Sequence, residues 1–419
     1  VMNRLILIWN MCLQSTRGDN RSKMRVLSVT AQKPCSTGSG VYLTEVVRSL
    51  AKMGVSQAVV AGVTREDRVD MPEGVTVYPV YFASEKLPYP VVGMSDEMPY
   101  TSTRYRDMTE EMAGQFKAAF LEVLDEAIEK ENPDIILCHH LYYLTALIRA
   151  HYPAKKVYGF CHNTDLRQME SILFERNFIR QEIPKLDRIF ALQEAQKEKI
   201  KKIYPVSEKQ MTVIGTGYNS EVFKKTGIKL SRKDGKIRMI FAGKITQKKG
   251  VKSLLRALKL LDYEKEKIQL ILAGGAGNLV EYEEIKELAD GCRYPVVFAG
   301  CVMQSRLAEL YNDCDIFVLP SMYEGLPLTV IESLACGDRV VMTKLEGIAE
   351  WLADMVPDAD IRYVLPPGMK GTDEPLEEEL PAFESRLAEA LREAIEEKDT
   401  KECDVSRISW QKIAREVIR

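Results

Sequence analysis

The chain is poor in the features that mark most specialised folds. It has no CxxC pair and only four histidines, all between 139 and 162, so zincin spacing is not spelled out. Its nine cysteines are scattered and odd in number, as expected of reduced, packed thiols in a cytosolic protein. A net charge of −3 gives no bulk attraction to nucleic acid. Internal repeats, low-complexity tracts and heptad runs are missing, and no apolar run is long enough to span a bilayer. The run Leu5 to Leu13 is too short, lacks a small-residue cleavage site and leads into polar Gln14 to Lys23. Residues 1–23 are therefore expected to be a disordered or non-native extension, with Met24 as the natural start.

What is present is a globular composition, 46% hydrophobic and 28% charged, over 419 residues, which is too long for one ordinary core. Short apolar runs ending in Gly-, His- or Lys-bearing turns alternate with amphipathic segments. Strands are expected at 25–30, 57–61, 75–80, 134–138, 157–161, 186–191 and 211–214, and again at 237–244, 269–273, 296–300, 316–319 and 340–343. Such alternation in two halves predicts two doubly wound α/β domains facing a cleft. The boundaries expected are 24–217 for the first domain, 218–236 for a polar linker, 237–400 for the second domain and 401–419 for a C-terminal helix. Residues 84–108 form a long aromatic connection, a candidate acceptor-contacting loop or a plain surface insertion.

The most informative stretch runs from Asp315 to Gly337. A buried strand, Ile316 to Leu319, leads into a loop, then a helix starting near Pro327 and stopped by Gly337. Leu328, Ile331 and Ala335 share a face, and Glu332 sits among them. A carboxylate there costs several kcal/mol unless something satisfies it. Glu324 lies just before the helix, where backbone N–H groups favour an anion. A phosphate on those groups, flanked by two carboxylates, suits a ligand carrying both phosphate and hydroxyls. The plainer alternative is a strand-loop-helix unit with one capping Glu and one Glu at the stripe's margin.

Other strand ends carry chemistry too. His139-His140 and His162-Asn-Thr-Asp165 close two strands of the first half, and ligands of open parallel sheets bind at such ends. A zinc site is disfavoured, because acidic or Cys ligands do not recur at suitable spacing. Ser36-Thr-Gly-Ser-Gly40 is a Gly-rich turn before a helix over 41–53, and Lys244 and Lys249 flank a turn of the second half. Both also read as ordinary solvated turns.

The form Pro-Ser-x-x-Glu-Gly-Leu-Pro-Leu-x-x-x-Glu-Ser-x-Ala-x-Gly, over 320–337, closely resembles the donor-site motif of retaining glycosyltransferases of family 4, which have the GT-B fold. Asp-Ile-Ile-x-x-His139, Gly217-x-Asn219-x(3)-Phe223 and Ser409-Trp410 resemble further segments of that family, the last two being the interdomain crossover and the final helix that returns to the first domain. The resemblance implies catalytic roles for Glu324, His139, Lys244 and Lys249. It implies donor binding by Gly38, Gly40, Lys244, Lys249, Glu324, Gly325, Leu326, Leu328, Thr329 and Glu332, with Glu332 on the ribose and the lysines on the diphosphate. His162 and Asp165 fall on the acceptor side, and Cys301-Val302 near the base. The family carries Arg where this chain has Lys244, which keeps the charge but loses the bidentate fork.

The implied reaction moves a hexose-type sugar from a nucleotide diphosphate sugar, a UDP-sugar being expected, to a glycan, lipid or small-molecule hydroxyl. No cofactor, metal or nucleic-acid partner is expected, and a front-face substitution is the favoured route. The alternatives are an epimerase of the same fold and a non-catalytic nucleotide-sugar-binding subunit. A cytoplasmic location is expected, and peripheral contact with the inner membrane face is compatible, with Lys197 to Lys202 as the segment to inspect beside the reading of a solvated helix face.

Overall fold

The computed structural model describes residues 24–419 except 35, 97, 228, 230, 231, 233, 277, 372, 373 and 398–402, so the expected extension 1–23 lies outside the described residues. Two parallel sheets organise the chain. The first has β1 (Arg25–Thr30), β2 (Ser56–Val63), β3 (Thr76–Tyr81), β4 (Ile135–His139), β5 (Lys156–Phe160), β6 (Arg188–Ala191) and β7 (Met211–Val213) in the order 3-2-1-4-5-6-7. The second has β8 (Ile237–Ala242), β9 (Ile268–Ala273), β10 (Val296–Gly300), β11 (Ile316–Leu319), β12 (Arg339–Thr343) and β13 (Ile361–Val364) in the order 10-9-8-11-12-13. Each order reverses direction once, between β1 and β4 and between β8 and β11, and a crevice opens where helices leave to opposite sides.

The strands are near-continuous apolar runs because helices cover both faces. Val26, Leu27 and Val29 of β1, and Ile316, Phe317 and Val318 of β11, are all buried. Helix α1 (Gly38–Lys52) starts three residues earlier than expected, so Gly38 and Gly40 belong to its first turn and not to a loop. Thr37 caps it by accepting from the Gly40 N–H at 3.1 Å. Helix α2 (Glu110–Glu131) is capped by Thr109 and lies on the outer side of β2 and β3.

Two of the connecting stretches are anchored in the cores. Within residues 84–108, Tyr89 and Tyr105 are buried in the first core, and the Tyr89 hydroxyl donates to the Met112 carbonyl at 2.7 Å. Tyr89 meets Phe82 edge-on and Tyr105 meets Tyr142 edge-on. The linker run after 217 is docked on the second sheet's domain. Phe223 sits in the second core, and Lys229 donates to the Gly337 carbonyl at 2.9 Å and pairs with buried Asp338 at 2.6 Å. Burial pushes the Asp338 carboxyl up to about 7 even against the opposing pull of Lys229, and the lysine is held in place by a carboxyl that has no access to water.

The last helices close the molecule. Helices α3 (Val251–Leu258), α4 (Leu328–Ala335), α5 (Ile348–Met355) and α6 (Leu380–Glu396) belong to the second sheet. Helix α7 (Trp410–Val417) packs instead against α1, and Arg188 of β6 donates to the Glu416 carbonyl at 3.0 Å. No helix among the described residues is long and apolar enough to cross a membrane.

Candidate functional site

The site is assembled at the two switch points. After β8 the chain makes a single turn, Gln247–Lys249, closed by Gly250 at φ +74°. A Cβ on Gly250 would lie 2.0 Å from the Pro320 carbonyl oxygen, so only glycine lets this turn press against the end of β11. The Met322 N–H then donates to the Lys248 carbonyl at 3.0 Å. This contact brings the two charged groups together: Lys249 Nζ donates to Glu324 Oε1 at 2.6 Å, with both side chains mostly buried. Lys244 lies half-buried in the same loop.

Pro327 sits one position outside helix α4, as its N-cap, and no side chain caps the helix. The Val330 N–H reaches back to the Pro327 carbonyl at 3.2 Å, while the first-turn N–H groups of Leu328 and Thr329 are orphans of the kind that attract anions. The buried side of α4 comprises Val330, Ile331, Glu332, Ser333 and Leu334, whereas Leu328 and Ala335 are only half-buried. The apolar stripe is therefore rotated from the expected one, and Glu332 lies on the buried side. Glu332 is 5% exposed and has no side-chain hydrogen bond or ion pair among the described residues. Burial, aided by the Glu45 carboxylate of α1, pushes its carboxyl up to about 8.

Across the cleft, the ends of β4 and β5 hold three imidazoles. His139 Nδ1 and His162 Nε2 are 3.0 Å apart, and their rings stack at 11°. His140, held at φ +74°, places Nε2 3.1 Å from Ser39 Oγ of α1. Burial drives all three rings well toward the neutral form; His162 falls to about 3. His139 and His140 are buried, and only His162 is partly exposed. His139 is stacked on Phe160 at 4.8 Å, and its Nε2 has no hydrogen-bond partner among the described residues.

Asp165 is fully buried: its Oδ2 accepts from the Leu141 N–H at 2.7 Å and the His162 N–H at 3.3 Å, and its Oδ1 from the Leu166 N–H at 3.2 Å. It clamps two strand ends together. The groups sequence reasoning missed are its neighbours. Asn163 Nδ2 donates to the Glu324 carbonyl at 2.9 Å, and the Tyr323 hydroxyl donates to the Asn163 carbonyl at 3.1 Å. A Cβ on Gly325 would lie 3.4 Å from the His162 carbonyl oxygen. The glutamate loop of one domain thus rests on the histidine loop of the other. The adjacency of Asn163 to His162 at a strand end was the available signal for it.

The remaining expected residues are spread around this point. Gly38 opens α1 with free space where a Cβ would be, while Gly40 is buried beneath it. Leu326 is buried, and Gly325 and Thr329 are half-buried beside the Glu324 loop. Cys301 lies beside the β9 turn, its Sγ 2.8 Å from where a Cβ on Gly275 would sit. Among the described residues no group of three or more His, Cys, Asp or Glu side chains is arranged to hold a metal ion. Three of the four lysines in the Lys197–Lys202 segment are ion-paired: Lys197 with Glu194 at 3.2 Å and with Glu208, Lys199 with Glu346 at 3.2 Å and Lys201 with Glu198 at 2.5 Å.

Known proteins match this arrangement along most of the chain. Residues 36–222 match the family described as Glycosyltransferase Family 4, and residues 223–370 match that described as Glycosyl transferases group 1. An uncharacterised glycosyltransferase of Methanocaldococcus jannaschii is 30% identical over 173 residues, 39% of this chain and 44% of that protein, so the chain spans less than half of that relative's length. Among solved structures, sucrose-phosphate synthase from Thermosynechococcus elongatus superimposes with a TM-score of 0.66 at 15% identity, over 94% of this chain and 97% of the other. The Anabaena protein HepE, in complex with UDP and glucose, does so with a TM-score of 0.61 at 14% identity, over 94% and 98%. At these identities the two structures establish the fold alone.

Proposed function

The chain belongs to glycosyltransferase family 4 and has the GT-B fold, and from that premise we propose that it transfers a hexose-type sugar from a nucleotide diphosphate sugar, with UDP as the nucleotide, to an acceptor hydroxyl with retention at the anomeric carbon. The observation that carries this reading is the Lys249–Glu324 pair at the switch point, set beside the uncapped start of α4. In the proposed complex Lys249, Lys244 and the N–H groups of Leu328 and Thr329 stabilise the diphosphate as it departs. Glu324 accepts hydrogen bonds from the sugar hydroxyls. Glu332, a buried carboxylate without a hydrogen-bond or ion-pair partner among the described residues, accepts them from the ribose.

His162 takes the sugar-positioning role expected for His139, because it is the partly exposed ring beside the Glu324–Gly325 loop. In the front-face route the bond from the anomeric carbon to the diphosphate breaks, the acceptor oxygen bonds to the same face, and the acceptor's proton passes to the leaving diphosphate. The step uses no metal, and activity is expected to survive a chelator. Acceptors of the glycan, lipid or small-molecule class would enter from the first domain's side of the cleft.

A panel of nucleotide sugars read by thermal shift, followed by mass spectrometry of products with candidate acceptors, tests the reading. A UDP-sugar is expected to raise the melting temperature and to lose its sugar to an acceptor. If no nucleotide sugar raises it, the proposal is wrong.

A further inference from the structure

Tyr42 lies in the second turn of α1 and is buried. Its ring meets His162 edge-on, with centroids 5.2 Å apart at 75°, and touches Phe160 at 5.5 Å and His139 at 6.2 Å. On the other side it stands at 88° to Trp410, the first residue of α7, at 4.8 Å. Its hydroxyl donates to the Gly215 carbonyl at 3.0 Å.

Gly215 and Gly217 belong to the segment through which the chain leaves the first sheet for the second. A Cβ on Gly217 would lie 2.5 Å from the Trp410 ring, and one on Gly215 would lie 3.4 Å from the Trp351 ring of α5. The crossover is therefore gripped by side chains from α1, α5 and α7 together. Of these three, Tyr42 is the one that also touches an imidazole of the site. A cavity of about 1070 Å³, lined by Gly215, Thr216, Trp351 and Ile413 among others, flanks the segment and leaves it room to shift.

We propose that Tyr42 is a positioning residue for the transfer reaction: its ring sets the plane of His162, and its hydroxyl ties that setting to the interdomain crossover at Gly215. The inference rests on the sugar-transfer reading of the cleft. Edge-to-face ring pairs hold preferred angles, and close-packed interiors pass displacements on without absorbing them. When the domains change their spacing, the crossover moves, Tyr42 follows, and His162 comes into line with the Glu324 loop in one arrangement only.

Two variants test this on the full chain. Tyr42→Phe keeps the ring and frees Gly215; Tyr42→Leu removes the ring. Nucleoside diphosphate affinity by calorimetry is expected to stay within about twofold of the parent in both, since the groups assigned to the diphosphate and the ribose lie in the other domain. The kcat is expected to fall about fivefold in Tyr42→Phe and about 30-fold in Tyr42→Leu. With ¹³C-labelled histidine, the His162 titration midpoint, held near 3 by burial, is expected to rise by about one pH unit or more in Tyr42→Leu as water reaches the ring.

A kcat and a His162 midpoint equal to the parent's in both folded variants would overturn the proposal. So would losses of kcat matched by equal losses of nucleotide affinity, which mark general loosening. If the parent transfers no sugar, the transfer reading fails by itself, and the midpoint still decides whether Tyr42 governs His162.

Discussion

Replacing Glu332 by Gln should stabilise the protein while weakening its hold on nucleotide, and the gain should depend on pH. The carboxyl is raised from its ordinary 4.5 to about 8 by burial and by Glu45. Between those values the folded chain keeps a proton that the unfolded chain has released, so stability falls as pH rises through the window and is lowest above 8. Below 4.5 both states are protonated and nothing is lost. The whole shift corresponds to about 5 kcal/mol as an upper bound, and relaxation and water entry should reduce it to about 2 kcal/mol.

Gln mimics the protonated form, so parent and variant should unfold alike at pH 4.5. At pH 8.5 the variant should be the more stable by that amount. Urea melts of both proteins across the range measure the difference directly. At pH 8.5, where Glu332 is ionised, nucleoside diphosphate affinity of the variant should fall about tenfold, because a neutral acceptor replaces a charged one under the ribose. A stability difference that does not change with pH, or a parent more stable at pH 8.5, would refute the buried-carboxylate argument whatever the activity.

Glu324→Ala is expected to abolish transfer with an unchanged circular dichroism spectrum, and turnover at the parent rate would remove Glu324 from the mechanism. Lys249→Ala should weaken nucleoside diphosphate binding about tenfold or more by calorimetry; equal affinity would mean the diphosphate lies elsewhere. Asp165→Ala should cost about 3 kcal/mol of stability, since it strands buried N–H groups of Leu141 and His162, and a normal denaturation midpoint would contradict the clamp. His139, His140 and His162 are held below their ordinary value, so the unfolded chain binds more protons as pH falls below 6.5. Stability should therefore decline on acidification from about 6.5 toward 3, and a His162→Gln variant should show a shallower decline in acid melts.

Much of this architecture was legible because parallel strands buried on both faces leave runs such as Ile316 to Leu319, and because turns at their ends must contain Gly or the residues that bind. Charge beside an apolar run singled out Glu324 and Glu332, whereas Lys249, which meets Glu324, stood out from an ordinary solvated turn only through the family resemblance. Which histidine meets the cleft could not be read. That choice depends on the left-handed backbone at His140 and Asn163, which turns adjacent side chains to opposite sides, and no spacing rule encodes it. The docking of Lys229 on Asp338 was hidden too, because a polar run has the same composition whether it floats or is paired. Tyr42 gave no local signal; its importance comes from contacts with residues more than a hundred positions away.

The close approach of Gly250 to Pro320 also shapes what the cleft can accept. It holds an ammonium and a carboxylate in mutual cancellation at the switch point. An inorganic anion could satisfy the ammonium only by stranding the carboxylate, and a free sugar would do the reverse. A single molecule bearing both an anionic bridge and a polyol can relieve both at once, so the same contact works as a two-key lock.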